Sequence, residues 1–251
     1  DDIKEIKKRF LLEIMRKEWK NEIEKINKAY LKQSEKSIIE NLKEFSLGFT
    51  HESQKIEGST LTKKETFNLL RFALTPSQKP EEDMIEAQKH HNVFLKMVEK
   101  HSTLTEKLIL SWHKEMFGKT KPEFAGKLRT NAVYVTNSES TFPHWKFVQN
   151  FVNQFLKEYS ELKRKIEPIE LAGMLHFRFV SIHPFGDGNG RISRMIMNYV
   201  LTENNCPPLN IKYTDREGYY KALEKGQVGQ DEMIFLRWFM KYYIKSNKKY
   251  Q

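Results

Sequence analysis

The sequence has few of the residues that form disulfides, metal centres or membrane spans. It has one cysteine, Cys206, among 251 residues, so no disulfide can form within the chain. Its histidines and its cysteine show none of the spacings that are typical of a structural zinc site. No apolar run reaches the roughly 18 residues that a membrane-spanning helix needs. We therefore expect a soluble, cytoplasmic protein that does not contact a membrane.

The chain is basic and has neither an internal repeat nor a Gly/Ser-rich linker. Lysine and arginine number 43 against 33 for aspartate and glutamate, which gives a net charge of +10. These basic residues are spread along the chain instead of clustered, and this favours a solvated surface over a nucleic-acid site. The length permits a substantial core, so the sequence predicts one helical unit with an N-terminal extension.

Apolar residues recur every three or four positions over most of the chain, which predicts helices. The apolar stretch 168–182 begins with a proline and should form a central, buried helix. Val133, Tyr134 and Val135 are instead strand formers, and because turn residues follow them, a short β-hairpin is predicted there. The predicted fold class is all-α, a helical bundle with one hairpin.

The segment 183–194 reads His-Pro-Phe-Gly-Asp-Gly-Asn-Gly-Arg-Ile-Ser-Arg and predicts a phosphate-binding loop. Its glycines let backbone N–H groups close on an anion at the start of the helix that follows. His183, with an ordinary pKa of about 6.5, can accept a proton from a hydroxyl. Asp187 can hold Mg²⁺ together with substrate oxygens. Arg191 and Arg194 lie three residues apart and can bind two phosphate groups, while Phe185 should anchor the loop in the core.

The pattern His-x-Phe-x-Asp-Gly-Asn-Gly-Arg-x-x-Arg resembles the signature of the Fic (Fic/Doc) family, with all eight specified positions present. The resemblance implies the Fic-fold helical bundle and the transfer of AMP from ATP, with Mg²⁺, to a hydroxyl side chain (Tyr, Thr or Ser) of a protein. Catalysis would fall to His183 as the base and metal binding to Asp187. The nucleotide-binding residues would be Gly186, Gly188, Asn189, Gly190, Arg191 and Arg194.

A second segment, Ser53-Gln54-Lys55-Ile56-Glu57-Gly58, resembles the inhibitory motif of the same family. In that family the motif lies on a helix over the nucleotide site. The resemblance implies that Ser53 and Glu57 are inhibitory and that Glu57 pairs with Arg194, which then cannot bind the γ-phosphate. The predicted division is an extension over 1–58, with the inhibitory helix at about 47–58, and a Fic core over 59–251. Taken apart from the loop at 183–194, Gly58 is equally explained as a helix C-cap.

The hairpin at Val133, Tyr134 and Val135 resembles the family's flap, which holds a target segment by strand addition. Tyr220 lies where the resemblance places a tyrosine beside the adenine, although core packing explains it as well. The reverse reaction, hydrolytic removal of AMP with Glu57 orienting water, is left open. So is a non-catalytic regulator that binds nucleotide or nucleic acid. Self-AMPylation and a homodimer are further expectations.

Overall fold

The structure, a computed structural model, describes residues 2–100, 102–135 and 138–250, with side chains from Phe10 onward. Within these ranges it consists of helices and has no strand, so the all-α fold class is confirmed. Three short 3-10 helices cover Trp145–Phe147, Tyr213–Asp215 and Lys248–Tyr250. The α-helices are α1 (Asp2–Leu31), α2 (Glu35–Ile56), α3 (Lys63–Phe72), α4 (Glu81–Lys100), α5 (Glu106–Phe117), α6 (Val148–Leu162), α7 (Pro168–Ile182), α8 (Asn189–Glu203), α9 (Arg216–Val228) and α10 (Glu232–Ser246).

Helices α7 and α8 form the centre of the bundle. Helix α7 begins with Pro168 at its first turn and is buried along most of its length, as the apolar stretch predicts. It packs lengthwise against α8 and is flanked by α6 and α10. Helix α8 is almost completely buried from Asn189 to Leu201. The short connection between these two helices is the predicted phosphate-binding loop, which therefore rests on two buried and closely packed helices.

The N-terminal helices pack onto this centre from two sides. Helix α1 lies against α10 and is tied to α7 by a bidentate bond from Arg16 to Glu170. Helix α2 packs against α3, α4 and α8. Two buried contacts join α2 to α4: Thr50 Oγ1 lies 2.9 Å from His90 Nδ1, and Gln54 Nε2 donates to the Glu86 carbonyl at 3.1 Å. The C-terminal end of α2 therefore lies over the start of α8.

The predicted β-hairpin is wrong for the residues that the structure describes. Val133, Tyr134 and Val135 take no strand conformation, and the turn positions 136 and 137 lie outside the described residues. A strand needs a partner for its backbone, and strand propensity alone does not supply one. Tyr134 is 90% exposed. The segment that follows is held by side chains of α9, since Glu224 accepts from the Glu139 N–H at 2.9 Å.

None of the helices in the three described ranges is both long enough and apolar enough to cross a bilayer.

Candidate active site

The loop between α7 and α8 is fixed by its own residues and by one distant histidine. The backbone ends α7 at His183 in a left-handed conformation, with φ 50° and ψ 59°. Phe185 is fully buried and stacks on the His113 ring with 3.8 Å between centroids. Asn189 accepts from the Phe185 N–H at 2.8 Å and donates to the Phe185 carbonyl at 2.9 Å. The Asn189 side chain thus closes the loop, and its backbone N–H is the group that it offers to an anion.

Gly186 and Gly188, two glycines of the loop, occupy positions where a larger residue would be unfavourable. Gly188 precedes the helix with φ 79°, a conformation that other residues adopt at a cost. No side chain caps this end, so the first N–H groups of α8 keep their capacity to bind an anion. Gly186 packs against the Phe124 ring, which lies 2.6 Å from the position a Cβ would take. The glycines therefore let this loop approach both a ligand and the core.

His183 has the geometry of a base. Its Nδ1 donates to the Val180 carbonyl at 3.3 Å, which leaves Nε2 as a proton acceptor. Burial lowers the pKa of His183 to about 4, so the imidazole is neutral at pH 7. The Phe142 ring lies 4.2 Å from the imidazole centroid and limits its rotation. The ring is therefore held in a single tautomer beside the pocket.

A pocket of about 450 Å³ brings six of the predicted residues together, and its volume is typical of a small-molecule site. Its lining includes His183 from the end of α7, Gly190 and Arg194 from α8, Glu57 from the residue after α2, and Tyr220 from α9. Apolar side chains complete one wall: Val135, Phe142, Val180 and Leu223. Tyr220 is 45% exposed, and its hydroxyl donates to the Ile56 carbonyl at 3.2 Å.

Glu57 lies against the N-terminal end of α8. Its Oε1 is 2.6 Å from Nη2 of Arg194, a guanidinium that is 1% exposed. Arg194 also donates to Ser53, with Nε 2.9 Å from Oγ and Nη2 3.1 Å from the carbonyl oxygen. A Cβ on Gly190 would lie 2.2 Å from the same carboxylate oxygen of Glu57. A negative charge therefore already lies where the helix favours an anion.

Asp187 and Arg191 lie beside the loop, outside the lining of the pocket. The Oδ1 of Asp187 accepts from the Gly188 N–H at 2.5 Å, and its Oδ2 lies 3.0 Å from Nζ of Lys121. Burial raises the pKa of Asp187, but Arg191 and Lys121 outweigh it and hold that pKa below its usual value. Arg191 is buried, with its Nη1 bonded to Glu86. Its guanidinium is thus occupied by a carboxylate and stacks 4.4 Å from the Phe117 ring.

The chemistry of Asp187 fits a magnesium ion. It is the one carboxylate of the loop, and its side chain is 41% exposed. Magnesium keeps much of its hydration and is commonly held by one or two carboxylates together with substrate phosphates. The part of the chain that the structure describes has no cluster of three or more acidic, histidine or cysteine side chains that could bind a metal without substrate oxygens. One carboxylate supplies only part of the coordination shell of magnesium, and waters or substrate oxygens would have to supply the rest.

Two positioning residues escaped the sequence analysis because their contacts are distant in the chain. His113 donates from Nε2 to the Asp187 carbonyl at 2.9 Å and accepts the Gly126 N–H on Nδ1, 74 residues from the loop. Burial lowers its pKa to about 4, which keeps it neutral for this double role. Arg129 donates to the carbonyls of His183 at 2.7 Å and Pro143 at 2.6 Å. No motif in the sequence marks either residue.

One pocket thus brings together a neutral imidazole, the start of a helix that no side chain caps and a buried guanidinium. Residues 103–201 match the model of the Fic/DOC family. These residues include α5 to α8 and the whole loop, so this part of the chain is a domain of the Fic/DOC family.

Relatives and solved structures agree with this assignment. A protein adenylyltransferase Fic from Nematostella vectensis is 31% identical over 204 residues, which cover 78% of this chain and 46% of that protein. The protein adenylyltransferase fic-1 from Caenorhabditis elegans is 29% identical over 209 residues, 80% of this chain and 40% of the relative. The chain thus spans less than half the length of these two relatives.

Two solved structures share the fold. A Fic domain containing signaling protein from Bacteroides thetaiotaomicron superposes with a TM-score of 0.81 at 23% identity, over 91% of this chain and 96% of that one. Fic-1 from C. elegans gives a TM-score of 0.82 at 24% identity, over 96% of this chain and 73% of that one. The superposition extends beyond the family match and includes N-terminal helices.

Proposed function

We propose that this chain is a protein adenylyltransferase that transfers AMP from ATP to a protein hydroxyl and is held inactive by Glu57. The observation that carries the proposal is one pocket in which Glu57 covers Arg194 and Gly190 while His183 faces the same space with a free proton acceptor. The names of the two curated relatives support the reaction class.

His183 would act on the attacking hydroxyl. A neutral imidazole with Nε2 as acceptor can take the hydroxyl proton as oxygen attacks the α-phosphorus and pyrophosphate leaves. The imidazole lies at the end of a buried helix, and its Nδ1 bond to the Val180 carbonyl fixes the direction in which Nε2 points. We infer that positioning of the base contributes more than basicity does, because burial lowers the pKa of His183 to about 4.

The phosphates would be bound by the start of α8. The N–H groups of its first turn and the guanidinium of Arg194 offer positive partial and full charges to them. Asp187 would hold magnesium, which neutralises phosphate charge when it is bound. Asn189 and His113 keep the loop in shape by their bonds to Phe185 and Asp187. The exposed segment at Val133–Val135 would hold the target protein in the extended form.

Glu57 would inhibit by direct competition. Its carboxylate pairs with the Arg194 guanidinium and lies against Gly190. A phosphate at this place would be repelled by the negative charge of Glu57, and it would lack the bond from Arg194 that Glu57 already occupies. We extend the proposal to the division of the chain, with 1–58 as the regulatory extension and 59–251 as the core. Self-AMPylation, a homodimer and a cytoplasmic location stay predictions from the sequence.

The test uses ATP labelled on the α-phosphate, mixed with Mg²⁺, the full chain and a cell extract as the source of target protein. We expect protein-bound label with Glu57→Gly, weak label with the wild type and none with Glu57→Gly/His183→Ala. ATP labelled on the γ-phosphate is the control, and adding the Glu57→Gly chain should give no label beyond that of the extract alone. Added label from the γ-phosphate, or undiminished α-label without His183, would contradict the proposed reaction.

A further inference from the structure

Lys121 has an unusual environment for a lysine beside a nucleotide site. Its Nζ lies 3.0 Å from each of three carboxylates: Oε1 of Glu82, Oε1 of Glu86 and Oδ2 of Asp187. The first two lie one turn apart on α4, and the third belongs to the loop. The Lys121 side chain is 23% exposed, so these contacts are only partly screened by solvent.

The charges around this ammonium do not balance. Lys121 and Arg191 supply two positive charges, and Glu82, Glu86 and Asp187 supply three negative ones. The cluster therefore keeps one net negative charge while Lys121 is present and would keep two without it. The Lys121 ammonium, 3.0 Å from Asp187 Oδ2, therefore offsets part of the attraction that these carboxylates exert on an added divalent cation.

The two oxygens of Asp187 are both engaged. Oδ1 accepts the Gly188 N–H, and Oδ2 faces Lys121. A metal that binds this carboxylate must therefore share or displace the ammonium. Lys121 can leave Asp187 and stay paired, since Glu82 and Glu86 are within the same 3.0 Å. Glu82 and Glu86 can therefore keep the ammonium of Lys121 paired after a metal displaces it from Asp187.

We propose that Lys121 is a positioning residue that occupies the Asp187 carboxylate in the resting protein and raises the magnesium concentration needed for ATP binding. This inference rests on the proposed function, in which Asp187 holds the metal. Lys121 is thereby a competitor of the metal and not a ligand of the phosphates.

The experiment measures the affinity of the full chain for ATP by isothermal titration at a series of Mg²⁺ concentrations. The midpoint of the magnesium dependence is compared among the wild type, Lys121→Met and Lys121→Arg. Lys119→Met is the matched control, because Lys119 is exposed and only two residues away. The midpoint should fall about three- to fivefold in Lys121→Met, the range typical of losing one partly exposed charge pair. Lys121→Arg and Lys119→Met should keep the wild-type midpoint.

A fourth variant, Asp187→Asn, separates this inference from the proposed function. If it abolishes the magnesium dependence while Lys121→Met leaves the midpoint unchanged or raises it, the role of Lys121 is refuted and the metal site stands. If Asp187→Asn leaves the dependence intact, the metal assignment itself fails, and the inference about Lys121 fails with it. Circular dichroism of each variant confirms that the helices are retained.

Discussion

Replacing Glu57 by glutamine removes one charge from the contact with Arg194 and keeps the size and position of the side chain. Breaking a fully buried ion pair costs about 3–5 kcal/mol. The Glu57 side chain is 24% exposed, and Arg194 keeps its bonds to Ser53. We therefore expect a smaller loss of about 1–3 kcal/mol in the free energy of unfolding. Each kcal/mol should lower the Tm by about 2–4 °C for a chain of this size.

ATP with Mg²⁺ should reverse this loss. A γ-phosphate on Arg194 supplies the negative charge that the variant lacks, so the ligand should raise the Tm more in Glu57→Gln than in the wild type. Differential scanning fluorimetry with and without ATP measures both shifts. Glu44→Gln is the control on the same helix, because Glu44 pairs with Arg71 at the surface, where ion pairs contribute little.

A Glu57→Gln variant as stable as the wild type, with the same Tm shift on adding ATP, would mean that Glu57 and the nucleotide do not compete for Arg194. If Glu44→Gln lost as much stability, the fall in Tm would reflect α2 in general and not the contact between Glu57 and Arg194.

Three further predictions address the base, the loop and pH. His183→Ala should abolish AMP transfer and leave the Kd for ATP nearly unchanged, which labelled transfer and calorimetry measure separately. Gly190→Ala, placed in the Glu57→Gly background, should weaken ATP binding, because its methyl group fills the point where Glu57 Oε1 now lies. The third concerns His113, His176 and His183, whose pKa values fall through burial to about 4, 3 and 4. The unfolded chain binds more protons than the folded one below about pH 6.5, so stability is present above that pH and falls as pH falls toward 4. Chemical denaturation at pH 7 and pH 5 checks this, and His113→Phe should flatten the dependence.

The features that followed from the sequence are those whose cause is local. The loop at 183–194 was predictable because its glycines, its base and its arginines lie within one segment. Helix α7 was predictable because its proline and its apolar run are continuous. The contact between Glu57 and Arg194 was expected only through the family resemblance, because 137 residues separate the two in the chain.

The features that the sequence did not provide depend on distant contacts. Arg191 was expected to bind phosphate, and no local pattern revealed that Glu86 of α4 is its partner. Asn189 was expected among the nucleotide-binding residues, and its side-chain amide is instead bonded to the backbone of Phe185. The hairpin failed because strand propensity at Val133–Val135 says nothing about whether another strand lies beside it.

We propose that Glu57 takes the guanidinium that the nucleotide needs. A crystal structure of Glu57→Gly with Mg²⁺ and a non-hydrolysable ATP analogue tests this directly. We expect the γ-phosphate within hydrogen-bonding distance of Arg194 and the α-phosphate near the first turn of α8, on the side of His183 Nε2. A nucleotide bound elsewhere, or an Arg194 that still faces Ser53 alone with the phosphates out of reach, would contradict it.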